Sequence, residues 1–234
     1  MNISEIDHEL RTLADDNIDY IAFNRRIVNT KKTLYGVRIP ALRKLAKRLA
    51  KNATAATIST YLDTHPNTFE HHLLAGIIIN RAQLNDAEAL ALTCHYLKRV
   101  DSWAEIDSFV EKKPRLAPDT AWTLAHQILN STKEQTVRFA IVLLMQHFLD
   151  DEHLSTVFTA LRSVQHDGYY VRMAMAWLYA EAAVNHFHAT LQELQNPQLN
   201  DWTRRKALQK MRESRRFSLD QQAEIRRHRN KGIA

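Results

Sequence analysis

The segment VRIPALRKLAKRL, residues 37–49 of a chain of 234 residues, shows the pattern from which the fold class follows. Its apolar residues recur at spacings near three and four, the period of one face of an α-helix, and its lysines and arginines occupy the other face. Pro40 stands just inside the predicted start, where the missing N–H of a proline costs the helix no hydrogen bond. The stretch therefore predicts an amphipathic helix with a basic outer face.

The same periodicity predicts helices along most of the chain, most clearly at 68–81, 85–98, 134–149 and 169–185. Turn-forming residues break the pattern and delimit helix pairs of about 35–40 residues, the length of a two-helix solenoid repeat. An alternation of period two is nowhere sustained, and four glycines are too few for a sheet rich in hairpins. We expect an all-α fold, a curved array of antiparallel helix pairs in one domain over residues 1–234.

Composition excludes several classes of site. The glycines lie too far apart for a phosphate-binding loop, and a single cysteine, Cys94, expected to be an inert buried thiol, excludes a disulfide and a multi-thiolate zinc site. The close histidine pairs at 71–72 and 186–188 lack a third ligand, so no metal site is expected. The first residues lack a secretory signal, and the longest apolar run, residues 173–180, is too short to cross a bilayer. A soluble, cytoplasmic protein is expected.

Positive charge is concentrated in two blocks. Residues 25–51 include ten basic and no acidic side chains, and residues 204–231 include eleven basic and three acidic ones, while the whole chain carries only +6. The remainder is therefore acidic. Such segregation favours a surface that binds a polyanion, since clustered cations release counterions from phosphates, although two solvated helix faces are the alternative. The candidate phosphate contacts are Arg38, Arg43, Lys44, Lys47, Arg172, Arg204, Arg205, Lys206 and Lys210.

The segment DSWAEIDSF, which begins at Asp101, carries candidate chemistry. Asp101 or Ser102 is suited to cap a helix that starts here. Trp103 and Asp107 are four residues apart, so they share one face of that helix, and an aromatic ring beside a carboxylate attracts a planar cation. The alternative is a buried tryptophan, with Asp107 bonded to an arginine of another helix such as Arg138.

Two later helices carry similar residues. Arg138 lies inside the strongly apolar segment 137–141, where an arginine must pair with a carboxylate or face a cavity. The segment YYVRMAMAW, residues 169–177, ends in Trp177, which the periodicity assigns equally well to the core or to a site. The residues of this segment that we expect in the core are Met173, Met175 and Ala176.

Five segments together resemble the bacterial DNA alkylation repair family of the AlkD type: residues 36–47, 103–107, 137–140, 169–177 and 202–210. They span nearly the whole chain in the order of that family. The resemblance implies a right-handed solenoid of HEAT-like repeats whose basic concave face binds duplex DNA, with neither a metal nor an organic cofactor. For active members it implies excision of purines alkylated at N3 or N7.

The resemblance also implies roles for single residues. The catalytic aspartate of the family falls on Asp107 and its active-site arginine on Arg138, and the two active-site tryptophans fall on Trp103 and Trp177. Asp107 would stabilise an oxocarbenium-like sugar and position water. The family is thought to work from the backbone side of DNA, so no pocket for the base is expected. This chain departs from many active members at Glu105, which we expect to repel phosphate or to alter the local hydrogen bonding.

These observations lead to one expected function and two alternatives. We expect a monomeric DNA glycosylase that acts on cationic alkylated purines in double-stranded DNA and does not contact membranes. The first alternative is a DNA-binding protein of the same superfamily that removes no base. The second is a scaffold for other proteins, since helical repeats commonly bind proteins. A base-release assay separates the first two, and salt-sensitive DNA binding separates both from the third.

Overall fold

The structure, a computed structural model, describes residues 1–15 and 17–231, with side chains as far as residue 228. This described part forms fourteen α-helices, and its extended pairing is limited to two isolated bridges. The all-α fold predicted from the sequence is confirmed. The helices are α1 (Ile3–Thr12), α2 (Ile18–Val28), α3 (Ile39–Leu49), α4 (Ala55–Thr64), α5 (Phe69–Arg81), α6 (Asp86–Leu97), α7 (Trp103–Phe109), α8 (Pro118–Ile128), α9 (Glu134–His147), α10 (Leu154–Arg162), α11 (Tyr169–Asn185), α12 (Phe187–Glu193), α13 (Asp201–Glu213) and α14 (Leu219–Lys231).

Four helices lie where the periodicity predicts them, since α5, α6, α9 and α11 begin and end within two residues of the expected bounds. Side-chain caps explain two of these starts. Thr68 accepts the N–H of His71 at the start of α5, and Asn85 exchanges hydrogen bonds with Glu88 at the start of α6. The basic amphipathic helix is α3, with Pro40 in its first turn. Local chemistry therefore determines where α3, α5 and α6 begin.

The chain divides into two compact units, Met1–Ala121 and Trp122–Ala234, and the boundary falls inside α8. The single domain expected from the sequence stays a prediction. In the N-terminal unit, α5 packs against both α3 and α7, while α4 packs against both α5 and α6. Leu74 and Ile78 of α5 are fully enclosed, so this helix forms the centre of the core. The core thus supports α3 and α7, the two helices that carry candidate site residues.

In the C-terminal unit, α11 packs against both α9 and α13, while α12 packs against α11 and α14 against α13. Met175 and Ala176 of α11 are buried, as the sequence predicts. Met173 is only half-buried, because it lies one helical turn before Trp177 on the less enclosed face of α11. The face of α11 that includes Met173 and Trp177 is therefore less enclosed than the face that includes Met175 and Ala176.

The structure shows whether the single cysteine and the paired histidines of α5 are buried or exposed. Cys94, expected to be buried, is exposed on α6, because the apolar stripe of that helix faces the other way. His71 and His72 are enclosed in α5, where Tyr61 contacts His71 at 2.7 Å and the Tyr96 ring stacks 4.2 Å from that of His72. In residues 1–15 and 17–231, no three His, Cys, Asp or Glu side chains are grouped to hold a metal ion.

None of the described helices is both long and apolar enough to span a membrane.

Candidate functional site

Helix α7, which carries the candidate aromatic–carboxylate pair, begins at a capping box. The Ser102 hydroxyl oxygen accepts the N–H of Ala104 at 3.2 Å, and the Glu105 carboxylate accepts the N–H of Ser102 at 3.1 Å. Ser102 is therefore the N-cap rather than Asp101. The Ser102 hydroxyl also donates to the carbonyl of Val28 at the end of α2, so the cap joins two helices.

Glu105 is fully enclosed and forms an ion pair, with its Oε1 at 2.9 Å from Lys32 Nζ. The same ammonium group donates to Asp101 Oδ1 at 2.9 Å and to the Arg99 carbonyl at 2.7 Å. Burial raises the pKa of Glu105 to about 7, and the charge of Lys32 opposes that rise. Of the two effects expected of Glu105, the structure favours altered local hydrogen bonding over repulsion of phosphate, because this carboxylate is buried and caps α7. Lys32, although it belongs to the first basic block, is likewise enclosed.

Trp103 and Asp107 both line a pocket of about 260 Å³ in the N-terminal unit. The indole N–H of Trp103 donates at 2.8 Å to the carbonyl of Ile27, near the end of α2. The shared helix face predicted from the four-residue spacing is confirmed, since both residues border one cavity. The resemblance implies that no pocket receives the base. The structure nevertheless has a cavity beside Asp107. Other lining residues, from α2, α3 and α5, include Tyr20, Asn24, Arg43 and Glu70.

Three predicted phosphate contacts, Arg43, Lys44 and Lys47, are exposed on α3. Arg43 also lines the pocket that contains Asp107. Arg38 precedes α3 and is partly engaged, because its Nε lies 2.7 Å from Asp15 Oδ2. The three α3 side chains are therefore open to an anion.

In the C-terminal unit, hydrogen bonds orient Arg138 and Trp177. Arg138 is buried in α9, and its Nη1 donates to the Tyr170 carbonyl of α11 at 3.1 Å. Trp177 Nε1 donates to Glu181 Oε1 at 3.0 Å. Arg216 donates to both oxygens of Glu181 at 2.7 Å, and this pairing lowers the pKa of the carboxyl. Sequence reasoning missed Glu181 and Arg216, although the four-residue spacing from Trp177 to Glu181 was a usable signal.

Cations gather around Trp202 of α13. The Arg172 guanidinium lies 5.1 Å, and Lys206 Nζ 5.8 Å, from the centroid of the Trp202 ring. Lys210 follows one turn after Lys206 and is half-buried, and burial together with the charges of Lys206 and Arg138 lowers its pKa. Like charges held this close attract an anion, which relieves their repulsion. Four cationic residues predicted from the sequence thus lie near one another in the C-terminal unit: Arg138, Arg172, Lys206 and Lys210.

The neighbouring arginines at the start of α13 have different environments. Arg204 Nη2 donates to the carbonyls of Asn196 and Leu199 at 3.0 and 3.3 Å, so this side chain ties α13 to the preceding turn. Arg205 is exposed. We therefore expect Arg205, rather than Arg204, to be available to a phosphate. The side chains of residues 229–231, which end the second basic block, lie outside the described part of the chain.

A comparison with known protein families shows where this chain belongs. The model of the family described as DNA alkylation repair enzyme matches residues 6–211, which is most of the chain. The chain belongs to this family. The resemblance inferred from the sequence is confirmed, and membership gives the protein a role in DNA alkylation repair with DNA as its partner. No curated protein and no solved structure matches the chain. Every site residue predicted from the sequence of this DNA alkylation repair protein lies within the matched range.

Proposed function

We propose that this DNA alkylation repair protein is a DNA glycosylase, which hydrolyses the N-glycosidic bond of cationic N3- or N7-alkylated purines in duplex DNA. The observation that carries the proposal is the presence of Trp103 and Asp107 together at one pocket of about 260 Å³. An aromatic ring beside a carboxylate suits a positive charge on the sugar or the base. The proposed reaction uses no metal or cofactor, because alkylation itself makes the base a good leaving group.

The proposed reaction begins with the charge that alkylation places on the purine. The bond from C1′ to the base nitrogen breaks, both electrons go to the base, and the base leaves as a neutral molecule. The sugar becomes an oxocarbenium-like cation, which the Asp107 carboxylate stabilises. Water then adds to C1′ while Asp107 accepts the proton that the water loses. The DNA product is an abasic site.

Aromatic and basic residues hold the DNA in this proposal. The ring faces of Trp103 and Trp177 contact the electron-poor sugar and backbone, and each ring is oriented by its own indole hydrogen bond. Arg138 holds a phosphate. We propose that the protein acts as a monomer. That its helices form a right-handed solenoid with a basic concave face stays a prediction. The further phosphate contacts in the proposal are Arg43, Lys44, Lys47, Arg172, Arg205, Lys206 and Lys210.

Release of methylated purine from alkylated duplex DNA tests this proposal. We expect wild type to release base and Asp107→Asn, which keeps the size but removes the charge, to do so about 100-fold or more slowly. Asp167→Asn changes an exposed carboxylate in the same way and is expected to keep the wild-type rate. Fluorescence anisotropy with the same duplex checks that all three proteins bind DNA.

The outcomes separate the candidate functions. If wild type binds DNA with salt-sensitive affinity but releases no base, the protein is a non-catalytic DNA-binding member of the superfamily. Failure to bind DNA at any salt concentration favours the scaffold alternative. Equal rates for wild type and Asp107→Asn mean that another residue performs the reaction.

A further inference from the structure

Trp177 of α11 has a single hydrogen-bond partner among the residues that the structure describes. Its indole Nε1 donates at 3.0 Å to Oε1 of Glu181, one turn later on the same helix. The Trp177 ring is half-buried, and no ring of another described residue stacks on it. Trp122 of α8, by contrast, is flanked by the rings of Phe148 and His153, with centroids at 5.0 and 4.9 Å. Rotation of the Trp177 ring is therefore restrained by its hydrogen bond rather than by aromatic neighbours.

Arg216 holds the carboxylate that accepts this hydrogen bond. Its Nη1 donates to Glu181 Oε2 and its Nη2 to Glu181 Oε1, both at 2.7 Å, so the pair is bidentate and fixes the plane of the carboxylate as well as its distance. The hydrogen bonds from Arg216 and Trp177 lower the pKa of Glu181, which keeps it ionised at neutral pH. Because Arg216 and Trp177 share Oε1, Arg216 determines where the acceptor for the indole N–H lies.

The backbone of Arg216 is itself anchored, in the turn between α13 and α14. The next residue, Phe217, is buried, and its ring centroid lies 5.8 Å from that of Phe187 on α12. Gln222 of α14 donates to the Ser214 carbonyl at 3.1 Å, which ties the two ends of the turn together. Arg216 Nε also lies 3.3 Å from the Ser214 hydroxyl oxygen. A guanidinium on an anchored backbone loses less entropy when it orients a partner.

The charges around Glu181 indicate that its role is orientation rather than attraction of DNA. The charges of Glu181 and Arg138 both act on Lys210, so this carboxylate lies among the cations proposed to contact phosphate. A carboxylate there repels DNA unless a cation neutralises it, and Arg216 does so. Arg216 lies beyond residue 211, where the match to the family ends, so membership of the family assigns it no role.

We propose that Arg216 and Glu181 are positioning residues, which hold the Trp177 ring with its face toward the DNA sugar. The inference rests on the proposed function for the contact between Trp177 and the sugar. A displacement of about 1 Å at a group that meets the transition state costs up to about 100-fold in rate. Loss of either residue is therefore expected to slow base release even when the protein saturates the DNA.

Two substitutions with opposite changes of charge test the inference. Glu181→Ala removes a negative charge and Arg216→Ala a positive one, so an effect through charge alone changes DNA binding in opposite directions. We expect both variants to slow single-turnover base release at saturating protein by about tenfold or more. Glu181→Gln keeps an oxygen for the indole N–H and is expected to release base faster than Glu181→Ala. Arg215→Ala removes the neighbouring exposed arginine and keeps the wild-type rate.

Fluorine NMR of protein labelled with 5-fluorotryptophan observes the Trp177 ring without relying on base release. The chain has 4 tryptophans, and Trp177→Phe identifies the resonance that belongs to Trp177. We expect a duplex with a tetrahydrofuran abasic-site analogue to shift this resonance in wild type and in Arg215→Ala. The shift is expected to be lost in Glu181→Ala and in Arg216→Ala. Circular dichroism verifies that each variant is folded.

The outcomes distinguish this inference from the proposed function. A wild-type rate in folded Glu181→Ala or Arg216→Ala, or rate changes of opposite sign in the two, overturns the inference. A Trp177 resonance that does not respond to DNA in wild type also overturns it, and base release by that protein leaves the glycosylase proposal standing. If wild type releases no base but DNA shifts the Trp177 resonance only when Glu181 and Arg216 are present, the two residues position the ring and the proposed hydrolysis is wrong.

Discussion

Lys32 and Glu105 are a buried ion pair whose members lie 73 positions apart in the chain. Both charges have left water, and their attraction, with the hydrogen bonds around them, offsets that cost. Removing one partner leaves the other charge buried without compensation. Because Glu105 also caps α7, this pair connects the stability of the N-terminal unit to the helix that carries Asp107.

We predict that Lys32→Met lowers the free energy of unfolding by about 3–5 kcal/mol, since it strands a buried carboxylate. Lys31→Met removes the neighbouring exposed ammonium group, so a change within about 0.5 kcal/mol is expected. Urea denaturation followed by circular dichroism measures both. Similar unfolding midpoints for the two variants would show that the buried pair contributes little.

At the scale of single elements, the end of α4 and helix α5 bury histidines that must stay neutral. His65 and His72 are enclosed, and burial lowers the pKa of His65 to about 4 and that of His72 to about 2. Arg99 and Lys32 also disfavour their protonation. In the unfolded chain both histidines titrate near pH 6.5. Below about pH 6.5 the unfolded state therefore binds more protons at these sites, and stability falls as the pH drops.

Two carboxyl groups, those of Glu105 and Asp7, also change how the free energy of unfolding depends on pH. Glu105, whose pKa is raised to about 7, binds a proton more readily in the folded state, so it opposes the histidines as the pH drops from about 7 to 4.5. Asp7, whose pKa is lowered to about 2, loses its contribution only in stronger acid. A variant of His65 is needed to separate its contribution from these.

We predict that wild type loses about 2 kcal/mol more stability than His65→Gln between about pH 7 and pH 5, because only wild type releases the His65 proton on folding. His8→Gln, at an exposed position, is expected to show the wild-type loss. Urea denaturation at the two pH values provides the comparison. Parallel pH profiles for wild type and His65→Gln would mean that folding leaves the pKa of His65 unchanged.

At the scale of the whole molecule, each unit carries its own group of cations. Arg43, Lys44 and Lys47 are exposed on α3 of the N-terminal unit, and Arg172 and Lys206 surround Trp202 in the C-terminal unit. Each phosphate contact releases counterions. The slope of log affinity against log salt concentration is therefore proportional to the number of phosphates that the two units contact.

We predict that Lys44→Ala and Lys206→Ala each reduce the slope of log affinity against log salt concentration by about 0.9, and that the double variant reduces it by about 1.8. Lys98→Ala removes an exposed charge at the end of α6 and is expected to leave the slope unchanged. Anisotropy of a labelled duplex over a range of salt concentrations measures all four variants. A double variant no different from one single variant would show that only one unit contacts phosphate.

The sequence alone determined the helices and part of the site, because their causes are local. Apolar residues at helical spacing predict α5 and α11 within two residues, and Pro40 marks the start of α3. The four-residue spacing of Trp103 and Asp107 predicts a shared face, and both line one pocket. Charge segregation predicts a polyanion partner, and membership of a DNA alkylation repair family agrees with it.

Which charges are buried and where a cavity lies depend on how distant segments pack together. Nothing near Lys32 in the chain distinguishes it from the exposed Lys31, because its partners Asp101 and Glu105 come from a distant segment. The pocket exists because residues of α2, α3, α5 and α7 meet around it, and spacing along one helix says nothing about which other helix covers it. Periodicity reports the side of a helix that faces the core, whereas burial of a charge and the volume of a cavity depend on contacts between segments far apart in the chain.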